Sequence, residues 1–288
     1  EASEISSSEY FGESVYSYSL KQGIDDGFLA PYKVLKVGID VDLEGWRPDY
    51  ATVDVKGNII EDRLYNTKDF DRNLVLTHRT ETVAKRIVEY LTKTSPYDKT
   101  IVFCIDIEHA ERMRQALWKA APTEWNEKSE KYIVRITGDE KEAKQELDNF
   151  QNPEKKFPVI VTTSKLLTTG TDIKTCKLIV LDANIGSMTE FKQIIGRGTR
   201  ICEEYEKNFF TIMDFRNATA KFADPAFDGE AVRIKDIAPK TDITNDDILG
   251  DETEGQIDPV TGKEIHFPES EVVNQIIAKN ESCYSLVI

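Results

Sequence analysis

The 288-residue sequence holds little of what metal and redox sites are built from: four cysteines and three histidines. Cys104, Cys176, Cys202 and Cys283 lie far apart with no C-x-x-C spacing. That excludes a thiolate zinc site and a disulfide framework, and favours a cytoplasmic setting. Cys104 stands in an apolar run, where a free cysteine behaves as a small hydrophobe. His78, His109 and His266 are scattered without metal-ligand spacing, so each reads as a surface residue and no metal site is expected. No run of about 18 apolar residues exists, which excludes a membrane-spanning helix. Residues 1–20 contain no Lys or Arg and no apolar core, so they are not a signal peptide. Nor is there an initiator Met, and this abrupt start reads as a fragment of a longer protein.

What is present is charge, unevenly placed. Residues 201–288 carry 8 basic against 19 acidic residues, a balance of −11, while residues 1–200 carry 29 against 33, a balance of −4. An acidic whole argues against a nucleic-acid binder, whose footprint is basic. The nearly neutral first part still leaves room for a local phosphate-binding groove. With 40% hydrophobic residues, one large or two modest domains can bury a core.

Residues 1–20 read as a loop leading into a short helical stretch, and 31–41 as a strand; 42–70 look irregular, with a hairpin near Lys56-Gly57-Asn58. From residue 72 helices and strands alternate. Val83, Ile87 and Leu91 recur at helical spacing, and Asp106 is placed to cap a helix whose apolar face is Ala110, Met113 and Leu117. Apolar strands are expected at 100–104, 132–136, 159–162, 178–181 and 209–213. Continuous apolar strands between helices imply an α/β fold, a parallel sheet with helices on both faces. Beyond 230 the chain is acidic, with loop at 251–255, a turn at 258–263 and an amphipathic helix at 271–279.

Three segments carry chemistry. In Gln193-Ile194-Ile195-Gly196-Arg197-Gly198-Thr199-Arg200, two arginines three apart follow a helix opened by Ser187 and Glu190 and stopped by Gly196. Arginine suits phosphate because its planar fork stays charged and bonds bidentately; pairing with a surface carboxylate such as Glu203 is the alternative use. In the second segment, 161–173, six of the ten residues 162–171 bear hydroxyls directly after a strand, where ligands of open α/β sheets bind. Asp172 is suited to a ribose hydroxyl, and local capping by Thr side chains is the alternative. The third, Arg135-Ile136-Thr137-Gly138-Asp139, is another strand end followed by a polar turn. Together they predict phosphate-compatible groups on one edge of one sheet. Gly262-Lys263 is no P-loop, because position 257 is Ile and position 264 is Glu. Asp251-Glu252 follows no buried strand and is a poor acidic metal motif. No Ser-His-Asp or Cys-His arrangement has motif support.

In this order the segments resemble motifs IV (100–104), V (161–173) and VI (193–200) of superfamily 2 helicases. The resemblance narrows through Phe11-Gly12-Glu13-Ser14-Val15-Tyr16-Ser17-Tyr18-Ser19-Leu20, 23–31, 103–113, Asp214-Phe215-Arg216 and 222–229 to the R (HsdR) subunit of type I restriction enzymes, over roughly residues 10–230. It implies a RecA-like P-loop NTPase-type fold, with 1–71 the end of a first motor domain and connector, 72–228 the second motor domain, and 229–288 an acidic linker or partner-facing appendage. It implies ATP and Mg²⁺ in the full motor, double-stranded DNA, the first RecA-like domain of the same subunit, and methylation and specificity subunits as partners. Carried over by position, Arg200 is the arginine finger with Arg197 beside it, and Gln193, Gly170 and Asp172 face the nucleotide. Thr162, Thr163, Thr137 and Gly138 match DNA-backbone contacts. Ile195 before Gly196, where many superfamily 2 helicases have a basic residue, favours the narrower family. A phosphate cradle, a magnesium carboxylate and nuclease carboxylates would lie upstream, so these residues alone are expected to be inactive. Another superfamily 2 repair or RNA helicase, and a non-catalytic docking module, are the competing readings.

Overall fold

Among the described residues, seven β-favouring runs form one sheet: β1 (Tyr32–Val37), β2 (Thr100–Cys104), β3 (Ile133–Arg135), β4 (Ile160–Thr163), β5 (Leu178–Asp182), β6 (Phe210–Asp214) and β7 (Arg233–Ile237). Their spatial order is β3-β4-β2-β5-β6-β1-β7, and every pairing is parallel. Thr100 stands opposite Ile160 on one side and Leu178 on the other, which sets the central register. All side chains of β2, β4, β5 and β6 are buried. Covered on both faces, these strands have no water-facing position, and so they read as continuous apolar runs. The computed structural model describes residues 19–40, 42, 45–48, 59–65, 77–139, 141–164, 173–205, 207–222, 233–239 and 241–249.

The helices are α1 (Leu20–Asp25), α2 (Thr77–Lys93), α3 (Ile107–Ala120), α4 (Thr123–Lys128), α5 (Ala143–Gln151), α6 (Met188–Ile195), α7 (Ala218–Lys221) and α8 (Asn245–Leu249). Val83, Ile87 and Leu91 of α2 are fully buried, each contributing about 1.5–3 kcal/mol over an exposed position. Asp106 caps α3 by accepting the His109 N–H at 2.7 Å, and Ala110, Met113 and Leu117 face inward, as the sequence predicts. Ser19 opens α1 with a reciprocal box: its hydroxyl accepts from Gln22 N at 3.1 Å while Gln22 Oε1 accepts from Ser19 N at 2.9 Å. The end of α5 is closed by Lys99, a fully buried lysine, whose Nζ donates to the carbonyls of Phe150 (2.7 Å) and Asn152 (3.1 Å). Burial pushes that ammonium down to about 8.

The chain divides into two compact units, Glu1–Ile243 and Thr244–Ile288. In the second, Asp247 Oδ2 accepts from Thr244 N and Oγ1 at 2.7 and 2.8 Å, closing the first turn of α8. The boundaries expected at 71/72 and 228/229 do not coincide with the edges of the sheet, because β1 and β7 belong to it. β7 is an edge strand with Ile237 buried and Ile234 exposed, and two isoleucines without strict alternation in an acidic stretch carry too little apolar signal to be read as a strand. The hairpin near 56–58, the loop at 251–255, the turn at 258–263, the helix at 271–279 and His266 lie outside the described residues. No helix among the described residues is long and apolar enough to cross a membrane.

Candidate functional site

The loop 196–200 hangs from α6. Ser187 Oγ accepts the Glu190 N–H at 3.1 Å, and Glu190 Oε2 accepts from Gly186 N at 2.9 Å. Gly196 ends the helix at φ −53, in the right-handed region, so its dihedral does not require glycine. Gly198 does require it: a Cβ there would stand 2.3 Å from Cδ2 of the Phe210 ring. Beyond it, Thr199 O accepts from Ala30 N at 2.7 Å, and Arg200 forms an antiparallel bridge with Leu29. Gln193 and Arg200 are exposed and Arg197 is half-buried.

These contacts put the loop beside the starts of β1 and β6. The described parts of the other two segments, 135–139 and 161–164, end β3 and β4 and lie at the opposite edge. The expectation that all three share one edge is therefore corrected. In a parallel sheet the crossover helix must return the chain to the N-terminal edge before the next strand begins, and α6 carries the arginines back with it. The structure thus presents two faces at opposite ends of the strands.

At the C-terminal edge, Thr137 is buried and donates to Asp139 Oδ1 at 2.5 Å. That bond, ahead of the nearby Arg135 guanidinium, holds the Asp139 carboxyl below its ordinary range. Gly138 is exposed. Thr162 and Thr163 are fully buried in β4, and Thr163 Oγ1 donates to Ile136 O at 2.8 Å. Thr163 thus ties β4 to the turn after β3, while the Thr162 hydroxyl is buried without a hydrogen-bond partner, and neither side chain reaches the surface in this conformation. Gly170 and Asp172 lie outside the described residues. Among the described residues no group of three or more His, Cys, Asp or Glu is placed to hold a metal ion.

The same edge contains a buried charge cluster that the motifs did not reveal. Asp182, the last residue of β5, accepts from Arg79 Nη1 at 2.7 Å and from Arg216 Nε at 3.0 Å on one oxygen. Arg79 turns the rest of its fork to Asp42, with Nε–Oδ1 2.8 Å and Nη2–Oδ2 2.9 Å. His109, expected at the surface, is instead fully buried, with Nε2 3.4 Å from Asp182 Oδ2. That separation is long for a hydrogen bond, and the pair misses its geometry. His109 Nδ1 accepts from Ile105 N at 3.3 Å, which leaves the proton on Nε2, facing Asp182. Burial alone would raise the Asp182 carboxyl, but Arg79, then Arg216, outweigh it and hold the group well below the carboxylate range. The legible signal was helical spacing. Arg79 shares the stripe of Val83, Ile87 and Leu91, and His109 lies one turn before Met113. A charged or polar residue on an apolar stripe marks a buried, paired group.

With this geometry in view, comparisons with known proteins place the chain. Residues 63–202 match the helicase conserved C-terminal domain. The sequence is 60% identical over 240 residues to the type I restriction enzyme EcoAI endonuclease subunit of Escherichia coli, covering 83% of this chain and 30% of that one. It is 31% identical over 219 residues to the EcoKI endonuclease subunit of Escherichia coli strain K12, covering 72% and 18%. A solved fragment of a protein described as an HsdR subunit of a type I restriction enzyme, from Vibrio vulnificus YJ016, superposes with a TM-score of 0.67 at 43% identity, over 80% of this chain and 41% of that one. The chain spans less than a third of the length of the curated relatives it matches.

Proposed function

The chain belongs to the R (HsdR) subunit family of type I restriction enzymes and carries its helicase C-terminal domain, the second motor domain of a superfamily 2 helicase, and from this we propose that it is half of an ATP-driven translocase of double-stranded DNA. The observation that carries the proposal is the division of the domain into two faces. At the N-terminal edge, the exposed Arg200 and half-buried Arg197 lie on a loop locked by Gly198 and by the Ala30–Thr199 bond. These cations fit the phosphates of ATP held against the first motor domain of the same subunit, with Gln193 on the helix that carries them; Gly170 and Asp172, outside the described residues, are assigned to the nucleotide by the family resemblance.

ATP, with Mg²⁺, supplies the phosphoryl group whose hydrolysis drives the motor. Arg200, the arginine finger, meets charge that develops on that group, and a guanidinium so placed accelerates phosphoryl transfer by roughly 10³–10⁵. Preorganisation matters here, because a loop already fixed loses no reorganisation energy at the reaction. At the C-terminal edge, Thr137-Gly138 meets the DNA backbone, a contact that positions without reading sequence. Thr163 holds that edge from within through its bond to Ile136 O. DNA cleavage belongs to nuclease segments outside these 288 residues, and methylation and specificity subunits of a cytoplasmic restriction complex supply the target sequence.

The test is phosphate release from ATP by the full-length subunit, with and without duplex DNA, for wild type and Arg200→Ala. DNA-stimulated turnover that collapses in the variant, with DNA binding retained, is expected. Unchanged turnover in the variant would refute the arginine finger and favour a non-catalytic docking module.

A further inference from the structure

Two segments singled out in the sequence, 103–113 and Asp214-Phe215-Arg216, have no part in either face. Each sends one buried side chain, His109 and Arg216, towards Asp182. Arg79 joins them and carries the connection on to Asp42, whose side chain is 11% exposed. The positions of Asp182 and Asp42 in the chain suggest why.

From Asp182 the chain enters the loop 183–186, held by Lys221 Nζ on Ile185 O at 3.2 Å, then descends α6 to the loop 196–200. From Asp42 the chain runs back down β1 to Ala30 and Leu29, which grip Thr199 and Arg200. Two elements thus reach the loop from the same upper edge, one on each side. Their lower ends meet at Arg200, and their upper ends are joined by Arg79. The paired guanidinium fork admits one geometry, which a single point charge would not impose.

Resting on the translocase reading above, we propose that Asp42, Arg79 and Asp182 form a clamp that positions Arg200. It closes the frame β5–α6–loop–β1 at the edge remote from the nucleotide. None of the three touches substrate, so each is a positioning residue. Loosening the clamp lowers the fraction of time Arg200 spends in register with the transferred phosphoryl group. Nucleotide binding in the ground state, which does not depend on that register, is left alone.

Arg79→Ala or Asp182→Asn would leave buried charges unpaired at heavy cost to the fold. The test therefore uses Asp42→Asn, at the margin of the cluster and unchanged in shape, with Asp42→Glu to restore the charge. In the full-length subunit, kcat for DNA-stimulated ATP hydrolysis should fall roughly 2- to 30-fold in Asp42→Asn. The KM for ATP and the affinity for DNA should stay at wild-type values, and Asp42→Glu should recover most of the loss. A wild-type kcat in Asp42→Asn overturns the clamp. So does a loss in which kcat falls while the KM for ATP rises and DNA affinity weakens, which marks a merely structural contact. Arg200→Ala is run beside it. If that variant turns over normally, the functional reading fails; if it collapses while Asp42→Asn is unaffected, only the clamp fails.

Discussion

Replacing Gly198 with alanine adds one methyl group at the tightest place in the loop 196–200. The new Cβ would meet Phe210 ring carbons at 2.3, 2.6 and 2.7 Å, where carbon atoms in contact keep about 3.5–4.0 Å. More than 1 Å of movement is needed. Phe210 has nowhere to go: it is fully buried and packs on Tyr32, with ring centroids 5.7 Å apart. Overpacking of this kind costs about 1–3 kcal/mol. In a unit of this size that lowers the melting temperature by roughly 2–12 °C, at about 2–4 °C per kcal/mol. Gly196→Ala is the control. Its nearest neighbour would be Lys192 O at 3.2 Å, and its φ of −53 suits any residue, so its cost stays within about 0.5 kcal/mol. Denaturant melts of the two variants make the comparison. Adding Phe210→Leu to Gly198→Ala should relieve the clash and give a favourable coupling of about 0.5–3 kcal/mol. Equal stability of Gly196→Ala and Gly198→Ala, or strict additivity in the double variant, would refute the steric argument.

Arg200→Ala should leave denaturant stability within about 0.5 kcal/mol of wild type, because the side chain is exposed, while ATP turnover of the full-length subunit collapses; unfolding seen by circular dichroism would contradict this. The Asp182 carboxyl is depressed in the fold, so its contribution is fully present above the unfolded value of about 3.9 and disappears as pH falls through the lower folded value. The stability gap between wild type and Asp182→Asn, about 3–5 kcal/mol at neutral pH, should hold steady down to about pH 4 and narrow below it; a gap that closes between pH 7 and 5 would show that the carboxyl is not depressed. Lys99→Met removes the donor that closes α5 on the Phe150 and Asn152 carbonyls and should cost about 1–3 kcal/mol. A Lys99→Met protein more stable than wild type in urea would mean that burying the ammonium outweighs its bonds.

Much of the architecture was legible in local pattern. The runs 101–104 and 178–181 read as buried parallel strands, since they are continuously apolar. Ser187, Asp106 and the stripe Val83, Ile87, Leu91 announced their helices because capping and 3.6-residue periodicity are local properties of the chain. The helix that carries loop 196–200, from its Ser187 cap to its end at Gly196, was legible too. Less legible was β7, whose charged, non-alternating sequence acquires its meaning only beside β1.

What the sequence by itself determined, then, was the kind of domain and which residues could do chemistry. Only the tertiary structure decided where those residues stand. It moved the arginines to the edge opposite Thr137-Gly138, because a crossover helix must return the chain before a parallel strand can follow. It turned Thr162 and Thr163 inward. It gathered Asp42, Arg79, His109, Asp182 and Arg216 from up to 174 positions apart. Charges that far apart in the chain carry no mutual signal in a one-dimensional pattern. Their partnership arises when folding removes water and leaves each with the other as its best available counter-charge.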